Sequence, residues 1–225
     1  MNPSTPRAIL FDLDGTLADT APDLAGAVNM LRTERGLTPT DYERLRPVAS
    51  AGARGLIGAA FGITPQDKAY PALRDSFLEN YTSNIAVHSR LFDDVPALLE
   101  GLENAGIVWG IVTNKVTHLT EKLVPQIGLE HAACVFCGDT TPHPKPHPAP
   151  LLEAAHRIGI APEHCWYVGD DLRDIQAGHA AGMFTIAAAW GYCGDTPVVS
   201  WGANLTIESP SQLLNVILDK QTANS

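Results

Sequence analysis

Five short apolar runs recur along this chain, and their spacing constrains its fold more than any other feature. They cover residues 8–11, 107–112, 133–137, 165–168 and 184–188. Each is too short for an amphipathic helix and too evenly apolar for a sheet face open to water, so each reads as a strand buried on both sides. Helix-like stretches lie over 95–105, 117–127, 150–158 and 171–181. Strands alternating with helices in this way predict an α/β fold, a doubly wound parallel sheet of Rossmann-like form with helices on both faces.

One region breaks the alternation. From residue 19 to 87, helix-like segments over 24–35, 41–45, 55–60 and 73–81 follow one another with no convincing strand. Inserted directly after the first strand, this region predicts a helical cap over the carboxyl edge of the sheet, with tethers near 19–23 and 88–92. The expected division is a core of residues 1–18 and 88–225 and a cap of residues 19–87. Residues 221–225 read as a frayed tail.

Composition bounds the chemistry. The 225 residues are 45% hydrophobic and carry a formal charge of −10, enough apolar chain for a core and the wrong sign for a general nucleic-acid surface. An acidic chain that binds an anion must concentrate positive charge locally. No apolar stretch approaches the roughly 18 residues of a membrane span, and the N-terminus lacks the pattern of a secretory leader. Cys134, Cys137, Cys165 and Cys193 are too few for a disulfide framework, so a reduced cytoplasmic protein is expected, as monomer or homodimer. Cys134 and Cys137 have CxxC spacing, but no second pair supports zinc. Three residues apart on a strand, they fall on opposite faces and read as core.

Four polar signals sit where apolar runs end or soon afterwards: Asp12-Leu13-Asp14-Gly15-Thr16, Thr113-Asn114-Lys115, Lys145-Pro146 and Gly169-Asp170-Asp171-Leu172-Arg173-Asp174. In an open parallel sheet the carboxyl ends of the strands face one crevice, where ligands bind. Asp12 and Asp14, two residues apart, can project to the same side, and adjacent carboxylates repel unless a cation or a proton separates them. A hard divalent ion with oxygen ligands, such as Mg2+, suits that requirement. Gly15 allows a sharp turn that bares N–H groups to a phosphate. Thr113 offers a hydroxyl, Asn114 an N–H and Lys145 a compact positive charge to the same anion. Asp171 and Asp174 have the spacing of carboxylates at a helix start, Asp174 serving either as a cap or to orient the site. Arg54, beside Gly52 and Gly55 in the cap region, can reach an anionic substrate group across the crevice. His143 and His147 flank Lys145 in a proline-rich stretch that reads as a solvated loop.

In this order the four motifs resemble those of the haloacid dehalogenase-like superfamily, over residues 7–183, and the helical insert is similar to the family's cap. The resemblance implies a phosphatase in which Asp12 is the nucleophile and a metal ligand. Asp14 is the general acid and base and gives its main-chain carbonyl to Mg2+, and Asp170 completes the metal site. Gly15, Thr16 and Asn114 bind phosphate or substrate. Within the superfamily the motifs at 12–16, 112–115 and 145–148 resemble the phosphoglycolate phosphatase group. The tether at 86–92, the loop at 50–54 and Trp109 are closer to bacterial N-acetylmuramic acid 6-phosphate phosphatases. The implied partner is a small phosphorylated metabolite. The alternatives are a sugar phosphomutase, which shares the core motifs, and less favoured, a dehalogenase or a non-catalytic phosphate-binding module. Asp14 and Asp170 argue against a dehalogenase, and no chemical group is missing as a binding module would predict.

Overall fold

The computed structural model of the protein describes residues 5–194 and 196–223. The first half comprises β1 (Ala8–Phe11), β2 (Ala18–Asp19), α1 (Ala21–Thr33), α2 (Tyr42–Leu45), α3 (Gly52–Phe61), α4 (Tyr70–Ser83), β3 (Arg90–Leu91), α5 (Val95–Asn104) and β4 (Val108–Val112). Then follow α6 (Thr117–Leu123), β5 (Val135–Phe136), α7 (Ala149–Arg157), β6 (Cys165–Gly169), α8 (Leu172–Ala180), β7 (Phe184–Ala188), β8 (Leu205–Ile207) and α9 (Pro210–Ala223).

Six strands form one parallel sheet in the order β5-β4-β1-β6-β7-β8. The α/β fold expected from the apolar runs is therefore present, with β1 at its centre. Alternate residues of β1 serve two layers, as a period of two requires. Ile9 and Phe11 pack with Leu98 and Leu102 of α5, Leu119 and Leu123 of α6, and Leu213 and Ile217 of α9. Ala8 and Leu10 face Leu151, Ala154 and Ala155 of α7 and Ala177 of α8. Cys134 joins the α7 side, whereas Cys137 lies against Thr117 and Thr120 of α6; both are free thiols whose pKa burial raises, Cys134 to about 11.

Several boundaries differ from expectation. Helix α6 stops at Leu123, and a 3-10 turn over Val124–Ile127 replaces its expected end because Pro125 supplies no N–H. The run at 133–137 yields only two paired residues. β8 and α9 carry no pattern singled out above. The tail expected to fray from 221 continues α9 to Ala223, while Asn224 and Ser225 lie outside the described residues.

Residues 21–83 contain four α-helices, a 3-10 helix over Arg46–Ala51 and no strand. Helix α1 packs against α3 and α4, with Pro22 in its first turn. The apolar interior runs unbroken from β1 through Leu13 and Leu17 into Leu24, Val28, Leu56 and Phe77. The two tethers pair with each other, β2 running antiparallel to β3 with Ala18 opposite Leu91 and Asp19 opposite Arg90. Buried Asp23 ties them further: one carboxylate accepts the His88 and Ser89 N–H groups and the Ser89 hydroxyl at 2.7–3.0 Å. Among the described residues no helix is long and apolar enough to cross a membrane.

Candidate active site

The loops after β1, β4, β5 and β6 converge at the carboxyl end of the sheet, beside β1. Lys145 is 3% exposed, so its ammonium must be satisfied by protein. It donates to the Val112 carbonyl (2.9 Å), the Tyr167 hydroxyl (2.8 Å) and Asp174 Oδ1 (2.7 Å), and lies 3.0 Å from Asp12 Oδ1. Burial alone would lower its pKa; the Asp12 and Asp174 carboxylates more than offset this and raise it. The loop carrying Lys145 is clasped by Asn114, whose side chain donates to the Lys145 carbonyl and accepts its N–H, both at 2.9 Å.

Asp12, Asp170 and Asp174 are all buried and bring carboxylate oxygens within 4.8 Å of one another. Among the described residues Asp170 has no cationic partner: the Thr16 hydroxyl (2.9 Å), the Tyr192 N–H (2.9 Å) and the Ser50 hydroxyl (3.3 Å) donate to it. Burial, then the charges of Asp12 and Asp174, push its carboxyl well above the usual range. With one ammonium shared by Asp12 and Asp174 and none on Asp170, the three buried carboxylates leave negative charge unbalanced, and an oxygen-ligated cation fits that deficit. Gly15, at φ +83°, is needed twice: its backbone favours glycine, and a β-carbon there would overlap the Asp170 carboxylate.

Asp174 makes two kinds of contact. It closes a capping box with Asp171 at the start of α8, taking the Asp171 N–H at 3.1 Å, and it holds Lys145. Burial pushes its pKa up, to about 7, against the opposing pull of Lys145. Asp171 is occupied by Arg173, whose guanidinium meets both carboxylate oxygens at 2.8 and 2.9 Å and also donates to the Ser50 carbonyl at 2.8 Å.

Asp14 turns away from the acidic trio. Its Oδ1 accepts from the Thr20 hydroxyl at 2.5 Å, and Lys115 Nζ lies 2.8 and 3.0 Å from its two oxygens. Lys115 also sits 4.8 Å from the centroid of the Tyr81 ring. Burial would lower the Lys115 pKa, but Asp14 and Tyr81 raise it, so the side chain is charged. Burial pushes Tyr81 up to about 12, leaving it a neutral phenol.

The structure relocates several expected contacts. The Gly15 N–H is taken by the Ala18 carbonyl at 2.8 Å, so this residue supplies the turn rather than a donor. Thr16 is fully buried and spends its hydroxyl on Asp170. Thr113 lines the cleft, its Oγ1 accepting the Lys115 N–H at 3.1 Å. Arg54 is exposed and does not line the cleft. Its segment is helical from Gly52, and the face carrying Leu56, Ile57 and Ala60 includes Ala53 rather than Arg54. Lys115, named above only within the motif at 113–115, converges here with Tyr81, Ser50 and the Trp190–Tyr192 turn, to which no role was given. In that turn Trp190 donates to the Thr16 carbonyl, and the Tyr192 hydroxyl accepts the N–H groups of Thr20 and Ala21. A signal existed only for Lys115, a cation two residues past Thr113. The cleft encloses about 240 Å³ over a floor that includes Asp12, Asp14, Thr113 and Lys145, roofed by Leu24, Ala49, Ala53, Phe77 and Leu78.

A parallel sheet with four polar loops at one edge, a buried lysine on the first aspartate and a helical insert after β1 defines one class. The chain belongs to the haloacid dehalogenase-like hydrolases, whose family model matches residues 9–188. Among its relatives, a phosphoglycolate phosphatase of Xanthomonas campestris pv. campestris is 49% identical over 92% of this chain and 95% of its own. An N-acetylmuramic acid 6-phosphate phosphatase of Pseudomonas aeruginosa is 41% identical over 94% of each. The crystal structure of a predicted phosphoglycolate phosphatase from Haemophilus somnus superposes with a TM-score of 0.84 at 27% identity, covering 95% of this chain and 98% of that one.

Proposed function

We propose that the protein is a phosphatase that hydrolyses a small phosphomonoester through a phosphorylated Asp12, with Mg2+ as cofactor. One observation carries this reading: Asp12 stands at the β1 carboxyl end with Lys145 on one oxygen and two further buried carboxylates beside it. In the first step an Asp12 oxygen attacks phosphorus in line, the bond from phosphorus to the ester oxygen breaks, and Asp14 delivers a proton to the departing alkoxide. In the second, Asp14 takes a proton from water, whose oxygen attacks phosphorus and breaks its bond to Asp12, releasing inorganic phosphate. Lys145, with the Thr113 hydroxyl and the Asn114 N–H, stabilises charge on the phosphoryl oxygens. Asp12, Asp170 and the Asp14 carbonyl would hold Mg2+, with Asp174 orienting the site; the ion offsets the buried negative charge and polarises the phosphoryl group.

The names of the relatives point to 2-phosphoglycolate or N-acetylmuramic acid 6-phosphate. The compact cleft favours the smaller ester, and its apolar roof gives the sugar phosphate its one supporting feature. We place the protein in the cytoplasm, on the strength of four free thiols. The cap reading of residues 19–87 is supported by the paired tethers. Phosphate release from a panel of phosphorylated metabolites is the test. Net release with magnesium is expected, lost on exhaustive chelation and inhibited by calcium, whose longer, more numerous bonds misalign the attack. Isomerisation without net release would make the protein a phosphomutase instead, and full activity after chelation would remove the metal from the mechanism.

A further inference from the structure

We propose that Lys115 and Tyr81 together form a receptor for a carboxylate carried on the leaving alcohol, so that the site selects anionic phosphomonoesters. This deepens the phosphatase reading above and rests on it. Three observations combine. First, Lys115 is a charged side chain, 6% exposed, on the wall of the cleft, touching both oxygens of Asp14. Because Asp14 serves the leaving oxygen, an ammonium at this distance stands beside the first carbons of the leaving group. Second, the Tyr81 hydroxyl is buried with no partner at hydrogen-bond distance, the one such buried side-chain atom among the described residues, and Lys115 is the cation that acts on it. An unpaired buried hydroxyl is costly, so it marks a place that a partner fills. Third, Lys115 has a single carboxylate partner, Asp14, whereas the other cations at the cleft hold several partners or are remote. Lys145 is taken up by Asp12, Asp174, Tyr167 and the Val112 carbonyl, Arg173 by Asp171 and the Ser50 carbonyl, and Arg54 lies outside the cleft.

A carboxylate matches this pair because it offers two acceptor oxygens, one for the ammonium and one for the phenolic O–H. Drawing Lys115 toward the substrate also releases Asp14 oxygens that Lys115 otherwise holds. Lys115 follows β4, and Tyr81 belongs to α4, so the receptor is complete only with both halves of the molecule in place.

The test uses two matched substrate pairs: 2-phosphoglycolate against 2-hydroxyethyl phosphate, and N-acetylmuramic acid 6-phosphate against N-acetylglucosamine 6-phosphate. Within each pair only the first member carries the carboxylate. For the wild type, kcat/KM should favour the carboxylate-bearing member of at least one pair, and that pair identifies the source. Lys115→Met should lower this ratio by about 10- to 150-fold, the range of a lost charge-assisted bond. Tyr81→Phe, nearly isosteric and retaining the lysine, should lower it by about 3- to 10-fold, the range of a lost neutral bond. A wild type with no preference in either pair, or variants whose ratios stay within about twofold of wild type, would overturn the receptor while leaving the phosphatase standing. A wild type that releases phosphate from another phosphomonoester but from none of the four would overturn the receptor alone, and one that releases it from no phosphomonoester would remove the phosphatase reading and the receptor with it.

Discussion

On the floor of the cleft, charged side chains are held by several partners each, whereas the roof contributes mainly apolar surface. Lys145 alone engages Val112, Tyr167, Asp174 and Asp12, and Asp170 accepts from Thr16, Ser50 and Tyr192. The roof sets Leu24, Phe77 and Leu78 above them. Preorganised polar groups suit charge that develops identically in every phosphoryl transfer. Apolar surface with few directional contacts suits a leaving group that differs between substrates. On the proposed reading the floor should answer for reaction class and the roof for selectivity, and mutations should separate the two.

The largest effect should belong to Asp12, the proposed nucleophile. Asp12→Asn should reduce phosphate release on the order of 10³-fold or more on every substrate, with circular dichroism unchanged, because an amide oxygen is a poor nucleophile. A folded variant with ordinary turnover would break the comparison at its base. Lys145→Met should follow, with a loss of about 10²- to 10³-fold from the missing electrostatic contact. It should also lower stability in urea by about 3–5 kcal/mol, since Asp12 and Asp174 stay buried without their counter-charge. Arg173→Ala sharpens the boundary, because this side chain joins the floor to the segment before α3 through the Ser50 carbonyl. Steady-state kinetics should show kcat/KM falling about 5- to 30-fold on all phosphomonoesters alike, a loss of roughly 1–2 kcal/mol. Arg54→Ala should change kcat/KM by about twofold or less on any substrate, as expected for a solvated cation outside the cleft. A selective loss on carboxylate-bearing esters would instead restore Arg54 as a recognition residue.

The floor was the more legible half in the sequence, for a physical reason. Strands buried on both faces must be uniformly apolar, so β1, β4, β6 and β7 announce themselves, and polar residues just after them have only the crevice to face. β8 escapes because Leu205-Thr206-Ile207 is short, interrupted by a hydroxyl, and at the sheet edge. Partnerships across long stretches of chain were not legible. Nothing near Asp14 in the sequence indicates that Lys115 will reach it, or that Thr16 will turn to Asp170 instead of a phosphate. The capping spacing of Asp171 and Asp174 could be read, whereas the grip of Asp174 on Lys145 needed the fold. Arg54 misled because glycines on either side suggested a loop, while the segment winds as helix and its phase carries the guanidinium outward.

The short ladder between β2 and β3 has a consequence for how such a chain can change over time. Entry and exit of the insert stand directly opposite each other, at Ala18 and Leu91, so the sheet meets the intervening chain as a loop already closed at its neck. Closure entropy rises by only about 0.6 kcal/mol for each doubling of loop length. Material beyond the neck can therefore be lengthened, trimmed or exchanged like a cassette without shifting β1 against β4. One demand travels with any replacement: it must bring its own apolar underside, because Leu13 and Leu17 would otherwise be left facing water.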